Sequence, residues 1–187
     1  MKFLEEIAAY APRCEQEAAD RRLMLELAGA FPKTILTREC RAAHLTSSGF
    51  IVNPEGTRTL MVFHNIYGSW TWTGGHADGE GELLPVALRE AMEETGVARV
   101  RPLSEEIASL DVLAVSGHVK RGAYVSAHLH LNAAYLLVAE EGQPLRAREG
   151  ENSGVRWLPL DRLGDYCTEP EMLPVYEKLV KRMKELL

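Results

Sequence analysis

Residues 74–97 read GGHADGEGELLPVALREAMEETGV and combine a glycine-rich turn with a short, strongly charged helix. Successive helical residues rotate by about 100°, so Glu90, Glu93 and Glu94 fall within one arc of about 100° and about one turn. Carboxylates this close repel one another unless a counter-charge is present, and hard divalent cations take oxygen ligands. The stretch therefore indicates either a divalent-metal site or a solvated acidic helix face in which Arg89 pairs with Glu93.

The other side of the same helix is apolar, and we expect it to pack against a sheet. Pro85 suits the first helical turn, and Gly96 suits the left-handed residue that closes a helix. Glycines before the helix let the backbone turn tightly and approach a ligand closely. The predicted apolar stripe comprises Leu84, Leu88, Ala91, Met92 and Thr95, and the glycines are Gly74, Gly75, Gly79 and Gly81.

This stretch resembles the Nudix box, whose consensus is G-x5-E-x7-R-E-U-x-E-E-x-G-U with U an aliphatic residue. The glutamate expected six residues after Gly75 is replaced by Gly81, which Glu80 and Glu82 flank, and Thr73 stands where proline is usual. The resemblance implies an α/β protein with the Nudix fold, an α-β-α sandwich around a central mixed β-sheet. The matching residues are Gly75, Arg89, Glu90, Ala91, Glu93, Glu94, Gly96 and Val97.

The resemblance also implies a Nudix-type pyrophosphohydrolase. Such an enzyme uses Mg²⁺ or Mn²⁺ and attack by water at phosphorus to cleave the diphosphate linkage of a nucleoside diphosphate joined to another moiety. The implied metal ligands are Glu90, Glu93, Glu94 and the carbonyl group of Gly74. Arg89 would hold the glutamates in place by pairing across a helical turn.

The general base stays open between the box glutamates, Glu93 and Glu94 among them, and a glutamate from a later loop. In some Nudix hydrolases a loop glutamate about six residues before a late tryptophan reaches back to the metals. The tryptophan is Trp157 here, so the resemblance points to Glu151, with Glu149 as the second choice.

Two other functions share the implied fold. One is a non-catalytic Nudix domain that binds or senses a nucleotide-like metabolite, with Gly81 as the change that removes hydrolysis. The other is an isomerase of the isopentenyl diphosphate type, which relies on a cysteine in the segment before the box. Residues 73–76 read TGGH and contain no cysteine, which argues against the isomerase.

Length and composition predict one soluble domain over residues 1–187, divided into an N-terminal helical extension (1–32) and a Nudix core (40–187). With 46% apolar and 26% charged residues the chain resembles ordinary globular proteins, and no apolar run approaches the roughly 20 residues of a membrane span. The net charge of -6 argues against nucleic acid or an anionic membrane as a partner. We expect a small-molecule diphosphate as the partner. The resemblance to the Nudix family also implies a homodimer, and we expect a cytoplasmic location. The location follows from three widely spaced cysteines that read as reduced thiols: Cys14, Cys40 and Cys167.

Residues 2–30 read as helical with a break near Pro12, and their expected role is packing, dimer formation or covering of the cleft. Residues 44–53 and 58–64 predict a hairpin, and further strands are expected at 107–115 and 126–138. The loop between these last two carries Lys120 and Arg121, which either contact phosphate or are solvated. The positions expected to be buried in the extension are Phe3, Ile7, Tyr10, Leu23, Leu27 and Phe31.

His128 and His130 alternate along a predicted strand and therefore point to one face of a sheet. A His-x-His pair is half of a zinc site, but no third nitrogen or sulfur ligand follows at a convincing spacing, so half-buried, hydrogen-bonded histidines are favoured. A role in orienting substrate is the other alternative. The aromatic residues before the box are expected in the core or stacked on a nucleobase: Tyr67, Trp70 and Trp72.

Overall fold

The structure is a computed structural model that describes residues 1–120 and 122–187, without the side chain of Lys120. The predicted phosphate contacts of Lys120 and Arg121 therefore lie outside the described residues. The helices are α1 (Lys2–Ala9), α2 (Glu15–Ala30), α3 (Leu83–Thr95) and α4 (Leu173–Leu186), with a 3₁₀ helix at Leu160–Asp165. The strands are β1 (Ala43–Val52), β2 (Arg58–His64), β3 (Ser69–Thr71), β4 (Thr73–His76), β5 (Arg101–Pro102), β6 (Ser109–Val115), β7 (His118–Lys120), β8 (Ala123–Val125), β9 (His128–Val138) and β10 (Asn152–Pro159).

A mixed sheet of eight strands forms the centre of the molecule, and its main path runs β10-β2-β1-β9-β5. β1 pairs in parallel with β9 from Ala43 beside Leu129 to Val52 beside Val138. β4 and β2 pair with β1 in the antiparallel sense. Every residue of β1 is buried, as expected for a strand covered on both faces.

The two faces of the sheet carry separate hydrophobic clusters because side chains alternate along a strand. Leu45 and Ile51 of β1 pack in the cluster that holds α1, α2 and α3. Phe50 and Val52 point the other way, into the cluster that holds α4. Helices therefore cover both faces of the sheet, and the predicted α-β-α sandwich is confirmed.

The N-terminal extension forms two helices with a break around Pro12, as predicted. α1 buries Phe3 and Ile7, and α2 buries the charged residue Glu17. Phe31 was expected in the core but is 40% exposed. It follows the last residue of α2, beyond the helical periodicity on which the prediction depended.

The predicted hairpin corresponds to β1 and β2, with Asn53 in the turn accepting hydrogen bonds from the N–H groups of Thr57 and Arg58. The segment expected to be a loop between β6 and β9 contains a second hairpin instead, formed by β7 and β8. The glycines and polar residues of this segment suggested a loop, but short strands pair through backbone groups, which polar residues also provide. Within the described part of the chain, no helix combines the length and hydropathy that a membrane span requires.

Candidate active site

The box helix α3 has the boundaries that the sequence indicated. Pro85 lies in its first turn, and Gly96 ends it with a φ of 76°, the left-handed conformation that glycine favours. The buried side is rotated from the predicted stripe, so that Met92 is exposed and Leu84 and Leu88 are only partly buried. The residues buried on α3 are Leu83, Val86, Ala87, Ala91, Glu94 and Thr95.

Strand β4 lies directly beside the acidic face of α3. Gly74 and Gly75 pair with Ser48 and Ser47 of β1, which holds the glycine backbone in the sheet. A β-carbon added at Gly75 would lie 2.5 Å from the carboxyl carbon of Glu90. Glycine is therefore needed at this position because it leaves room for the carboxylate of Glu90.

Glu94 lies at the buried side of the acidic face and is only 6% exposed. Its Oε2 accepts a hydrogen bond of 3.1 Å from the N–H group of Gly74. Burial raises the pKa of Glu94 to about 8; the hydrogen bond from Gly74 opposes this rise, and the charges of Glu90 and Glu151 add to it. The carboxyl group thus lies where a nearby positive charge would strongly favour its ionised form.

Arg148 provides the positive charge among the remaining carboxylates. Its Nη1 lies 3.3 Å from Glu90, 3.1 Å from Glu93 and 3.2 Å from Glu151. Burial and the charge of Glu93 also raise the pKa of Glu90. Three carboxyl groups thus surround one cation, with the buried Glu94 on the same helix as two of them, and this oxygen-rich set fits a hard divalent ion.

Arg148 was missed in the sequence because it lies in a loop whose charges have no periodicity. The same loop brings Glu151, the predicted loop glutamate, into ion-pair distance of the guanidinium group that Glu90 and Glu93 share. Glu149, the second choice, is exposed. The structure therefore collects Glu90, Glu93, Glu94 and Glu151 in one group, which we call the carboxylate cluster.

Arg89 pairs differently from the prediction. Its Nη1 donates a hydrogen bond of 2.5 Å to Glu80, and its Nη2 lies 3.6 Å from Glu90. Glu93, the expected partner one turn away, pairs with Arg148 instead. Gly81 has no carboxylate, and Glu80, the residue before Gly81, thus supplies one to Arg89.

The aromatic residues before the box have separate environments. Trp72 is buried and packs edge-on against Tyr176, with ring centroids 5.7 Å apart. Trp70 packs in the same way against Phe63 at 5.6 Å. Tyr67 is 43% exposed and stacks on His64 at 4.4 Å. The core interpretation is therefore correct for Trp72, and Tyr67 is the exposed member of the set.

One large cleft is lined by residues of the carboxylate cluster and by six histidines, two of which, His64 and His118, lie outside the group described next. His130 and His128 of β9 are joined there by His44 of β1 and His76 of β4. The sequence showed only the first two as a pair, because the other two lie far away in the chain. We call these four residues the histidine cluster.

Solved structures share this fold at low sequence identity. A NUDIX family hydrolase from Clostridium perfringens has a TM-score of 0.55 and 19% identity, covering 75% of this chain and 97% of that one. An Ap4A hydrolase binary complex from C. elegans has a TM-score of 0.53 and 17% identity, with coverages of 75% and 98%. The NUDIX domain of Shewanella oneidensis NrtR, complexed with ADP ribose, has a TM-score of 0.54 and 17% identity, with coverages of 83% and 97%. These likenesses show the fold.

The sequence comparisons identify the family. A search of curated proteins found no match. The profile of the NUDIX domain matches residues 43–182, which is most of the chain. The match bears out the predicted class of enzyme, a Nudix-type pyrophosphohydrolase, and Nudix hydrolases generally need divalent metal ions. From the acidic helix, the glycine strand beside it and this match, we conclude that the chain belongs to the NUDIX domain family.

Proposed function

We propose that this protein is a metal-dependent hydrolase that cleaves the diphosphate linkage of a nucleoside diphosphate joined to another moiety. The observation that carries the proposal is the convergence of Glu90, Glu93 and Glu151 on the guanidinium group of Arg148, next to the buried Glu94. Carboxylates from a helix and a distant loop are brought to one positive charge. A solvated helix face would not require this arrangement.

The residues suit Mg²⁺ or Mn²⁺ as the cofactor. Glu90, Glu93 and Glu94, with the carbonyl oxygen of Gly74, would hold the ion, because hard divalent cations prefer oxygen ligands. When bound, the ion neutralises the charge that develops on the phosphoryl oxygens of the substrate. Arg148 then has to give up part of its pairing with the carboxylate cluster, and the cleft leaves it free to contact a phosphate.

The reaction needs a base as well as a cation. Water forms a new bond to one phosphorus atom, and the bond from that same phosphorus to the bridging oxygen breaks, so that the bridging oxygen leaves with the other phosphate. One proton of the water passes to a carboxylate. Glu93 and Glu151 are the exposed members of the cluster, at 43% and 39%, so they are the carboxylates that water reaches. Arg89 holds Glu90 in position, and Glu80 in turn holds Arg89.

The class of substrate follows from the family and from its structural relatives. One relative is an Ap4A hydrolase, and another is a NUDIX domain that was solved in complex with ADP ribose. The alternative of a non-catalytic sensor depended on Gly81. Against it stand the carboxylates of the box helix, Glu90, Glu93 and Glu94, which are all present, and Glu80, which places a carboxylate beside Arg89.

A substrate screen tests the proposal. The purified protein is incubated with nucleoside triphosphates, nucleotide sugars, ADP-ribose, dinucleoside polyphosphates and non-nucleotide diphosphates, with Mg²⁺, with Mn²⁺ or with a chelator. We expect hydrolysis of at least one nucleoside diphosphate derivative and complete loss of hydrolysis with the chelator. Binding of a nucleotide without turnover under either metal would favour the sensor.

Replacing Glu94 tests the role of the carboxylate cluster. We expect Glu94→Gln to lower turnover by about 100-fold or more, because an amide is a weak metal ligand while its oxygen still accepts the hydrogen bond from Gly74. The control is Glu26→Gln, at an exposed position of α2. Equal turnover in the two variants would remove Glu94 from the mechanism.

The remaining parts of the proposal concern location and assembly. A cytoplasmic location agrees with three free cysteines, of which Cys40 and Cys167 are buried. A homodimer follows from family habit, and analytical ultracentrifugation of the full chain measures it. A monomer at micromolar concentration would contradict that part alone.

A further inference from the structure

The histidine cluster is assembled from three strands of the central sheet. His44 lies near the start of β1 and His130 lies beside it on β9, in parallel register. His76 at the end of β4 pairs with Thr46, two residues along β1 from His44. His128 precedes His130 by two residues, so their side chains share a face. Strand order and register thus direct the four rings to one wall of the cleft.

The rings lie close enough to share an ion. Ring centroids are 4.9 Å apart for His44 and His76, and 5.0 Å apart for His76 and His130. One nitrogen atom from each of His44, His76 and His130 lies within 4.8 Å of the other two. His128 lies beside this group of three rather than in it: its Nε2 lies 3.3 Å from the Nε2 of His130.

In the rings of His44 and His128, a hydrogen bond at Nδ1 leaves the lone pair on Nε2. The Nδ1 of His44 lies 3.2 Å from the carbonyl oxygen of Cys40, and the Nδ1 of His128 lies 2.8 Å from that of Ser126. A carbonyl oxygen only accepts hydrogen bonds, so in each ring Nδ1 carries the proton and Nε2 carries the lone pair. Metal-bound histidines characteristically have this outer hydrogen bond.

The Nε2 of His44 is the strongest single indication. It is buried and, among the described residues, has no hydrogen-bond partner. Buried polar atoms in folded proteins nearly always have a partner, so a lone pair in this position calls for one.

The distances and the type of ligand atom indicate which metal fits. Zinc binds imidazole nitrogen at about 2.0–2.1 Å, and two such nitrogens around a tetrahedral ion are therefore about 3.3 Å apart. The nitrogens of His44, His76 and His130 are up to 4.8 Å apart, somewhat wider than this separation, and the 3.3 Å between the Nε2 atoms of His128 and His130 is a hydrogen bond between the two rings. Imidazole is a ligand for zinc and other late first-row metals, whereas Mg²⁺ prefers the oxygens of the carboxylate cluster.

We propose that the histidine cluster binds one transition-metal ion, with Zn²⁺ as the best fit. The ligands from the protein are His44, His76 and His130, and His128 lies beside them as the neighbour of His130. The protein then has two metal sites of different chemistry in one cleft, one with carboxylate oxygens and one with imidazole nitrogens. This site is additional to the proposed hydrolytic function and does not depend on it.

Metal binding without substrate tests the proposal directly. The chain is stripped with a chelator, dialysed, and titrated with ZnCl₂ by calorimetry in excess Mg²⁺, which keeps the carboxylate cluster occupied. We expect one Zn²⁺ per chain and, in X-ray absorption spectra, a shell of imidazole nitrogens at about 2.0 Å. A shell of oxygens, or binding that excess Mg²⁺ abolishes, would overturn the proposal.

Matched variants locate the site. We expect His44→Gln and His130→Gln each to weaken Zn²⁺ binding by about 100-fold, and to lose the rise in melting temperature that Zn²⁺ causes in the wild type. The control His118→Gln removes a histidine outside the cluster, whose Nδ1 lies 3.0 Å from the carbonyl oxygen of Ser116, much as His128 contacts Ser126. Circular dichroism confirms that each variant is folded.

The outcomes separate the two metal sites. Glu93→Gln should leave the affinity for Zn²⁺ within about twofold of wild type, because it changes only the carboxylate cluster. If Zn²⁺ affinity falls in Glu93→Gln and not in His44→Gln or His130→Gln, the ion binds to carboxylates and the proposal is wrong. If His118→Gln weakens binding as much as His130→Gln, the four residues do not define the site.

Discussion

At the scale of single residues, the candidate site depends on how closely backbone and carboxylate approach each other. Gly75 belongs to β4, and the carboxyl carbon of Glu90 lies 2.5 Å from the point where a β-carbon would be. A β-carbon added at Gly81 would have no neighbouring atom within 4 Å, although Gly81 belongs to the same glycine-rich segment. The two glycines therefore differ in function, and the structure shows which one makes room for the site.

Alanine substitutions separate these two roles. We expect Gly75→Ala to lower turnover by about 100-fold, because a shift of the order of 1 Å in a ligand of the metal is enough for such a loss. Overpacking should also lower the free energy of unfolding by about 1–3 kcal/mol. Gly81→Ala should change both quantities little. Similar kinetics in the two variants would show that the contact with Glu90 has no role in activity.

Arg148 is the second residue whose role can be tested alone. In the absence of metal it lies in ion-pair contact with three carboxylates and offsets part of their charge, so Arg148→Met should lower the melting temperature of the metal-free protein. Added Mg²⁺ should then raise the melting temperature of the variant by about 2 °C or more beyond its effect on wild type, because the ion replaces the lost charge. Arg146→Met, at an exposed position of the same loop, is the control. An equal effect of Mg²⁺ on all three proteins would contradict the assignment.

At the scale of secondary-structure elements, a buried ion pair joins the two ends of the chain. Arg182 of α4 donates two hydrogen bonds to Glu17 of α2, at 2.6 and 2.8 Å, and both side chains are almost completely buried. Burial acts to raise the pKa of Glu17, but the hydrogen bonds from Arg182 and from the N–H group of Arg13 outweigh it and lower the pKa to about 2.

The ion pair predicts how stability depends on pH. The stabilisation from Glu17 is present above about pH 4.5 and is lost as the pH falls toward about 2, because the unfolded carboxylate takes up its proton first. Glu17→Gln should therefore lower the free energy of unfolding by on the order of 3 kcal/mol near neutral pH. The difference from wild type should shrink toward about pH 3, as measured by urea unfolding.

The control for this experiment is an exposed ion pair between the same regions. Glu185 of α4 pairs with Arg13, and both side chains are about half exposed. Glu185→Gln should change the free energy of unfolding by less than about 1 kcal/mol at either pH. If the difference in free energy of unfolding between wild type and Glu17→Gln stays constant with pH, folding does not lower the pKa of Glu17.

At the scale of the whole molecule, the N-terminal extension forms part of the layer that supports the box helix. The N–H group of Phe3 donates a hydrogen bond of 3.1 Å to the carbonyl oxygen of Gly81. The Phe3 ring is fully buried in the cluster that includes Leu83 and Ala87 of α3. The boundary between an extension (1–32) and a core (40–187) stays a prediction.

Two phenylalanines test whether the extension is part of the folded core. Phe3→Ala should lower the free energy of unfolding by about 3–5 kcal/mol, because it leaves a cavity behind α3. Phe31→Ala, at a position 40% exposed, should cost less than about 1 kcal/mol. Chemical denaturation of the two variants measures the difference. Equal, small losses would mean that the extension is not packed on the core.

Local spacing was enough to predict the central part of this structure. The acidic face of α3, its end at Gly96 and the hairpin of β1 and β2 all depend on residues within a few positions of one another. Backbone geometry decides which of those residues lie close together on the helix. The packing of α3 decided which side is buried, and Met92 of the predicted stripe is exposed. Where the local pattern was weak, as at Phe31 and in the segment of β7 and β8, the predictions were wrong.

The partners of these local features come from distant parts of the chain. Arg148, rather than a neighbour on the helix, neutralises the carboxylate cluster, and His44 and His76 complete the group that His128 and His130 begin. Such contacts depend on strand order and register, which no single stretch of sequence contains. A shift of one residue between β1 and β9 would turn His44 to the opposite face of the sheet from His130, so folding alone brings these nitrogens together.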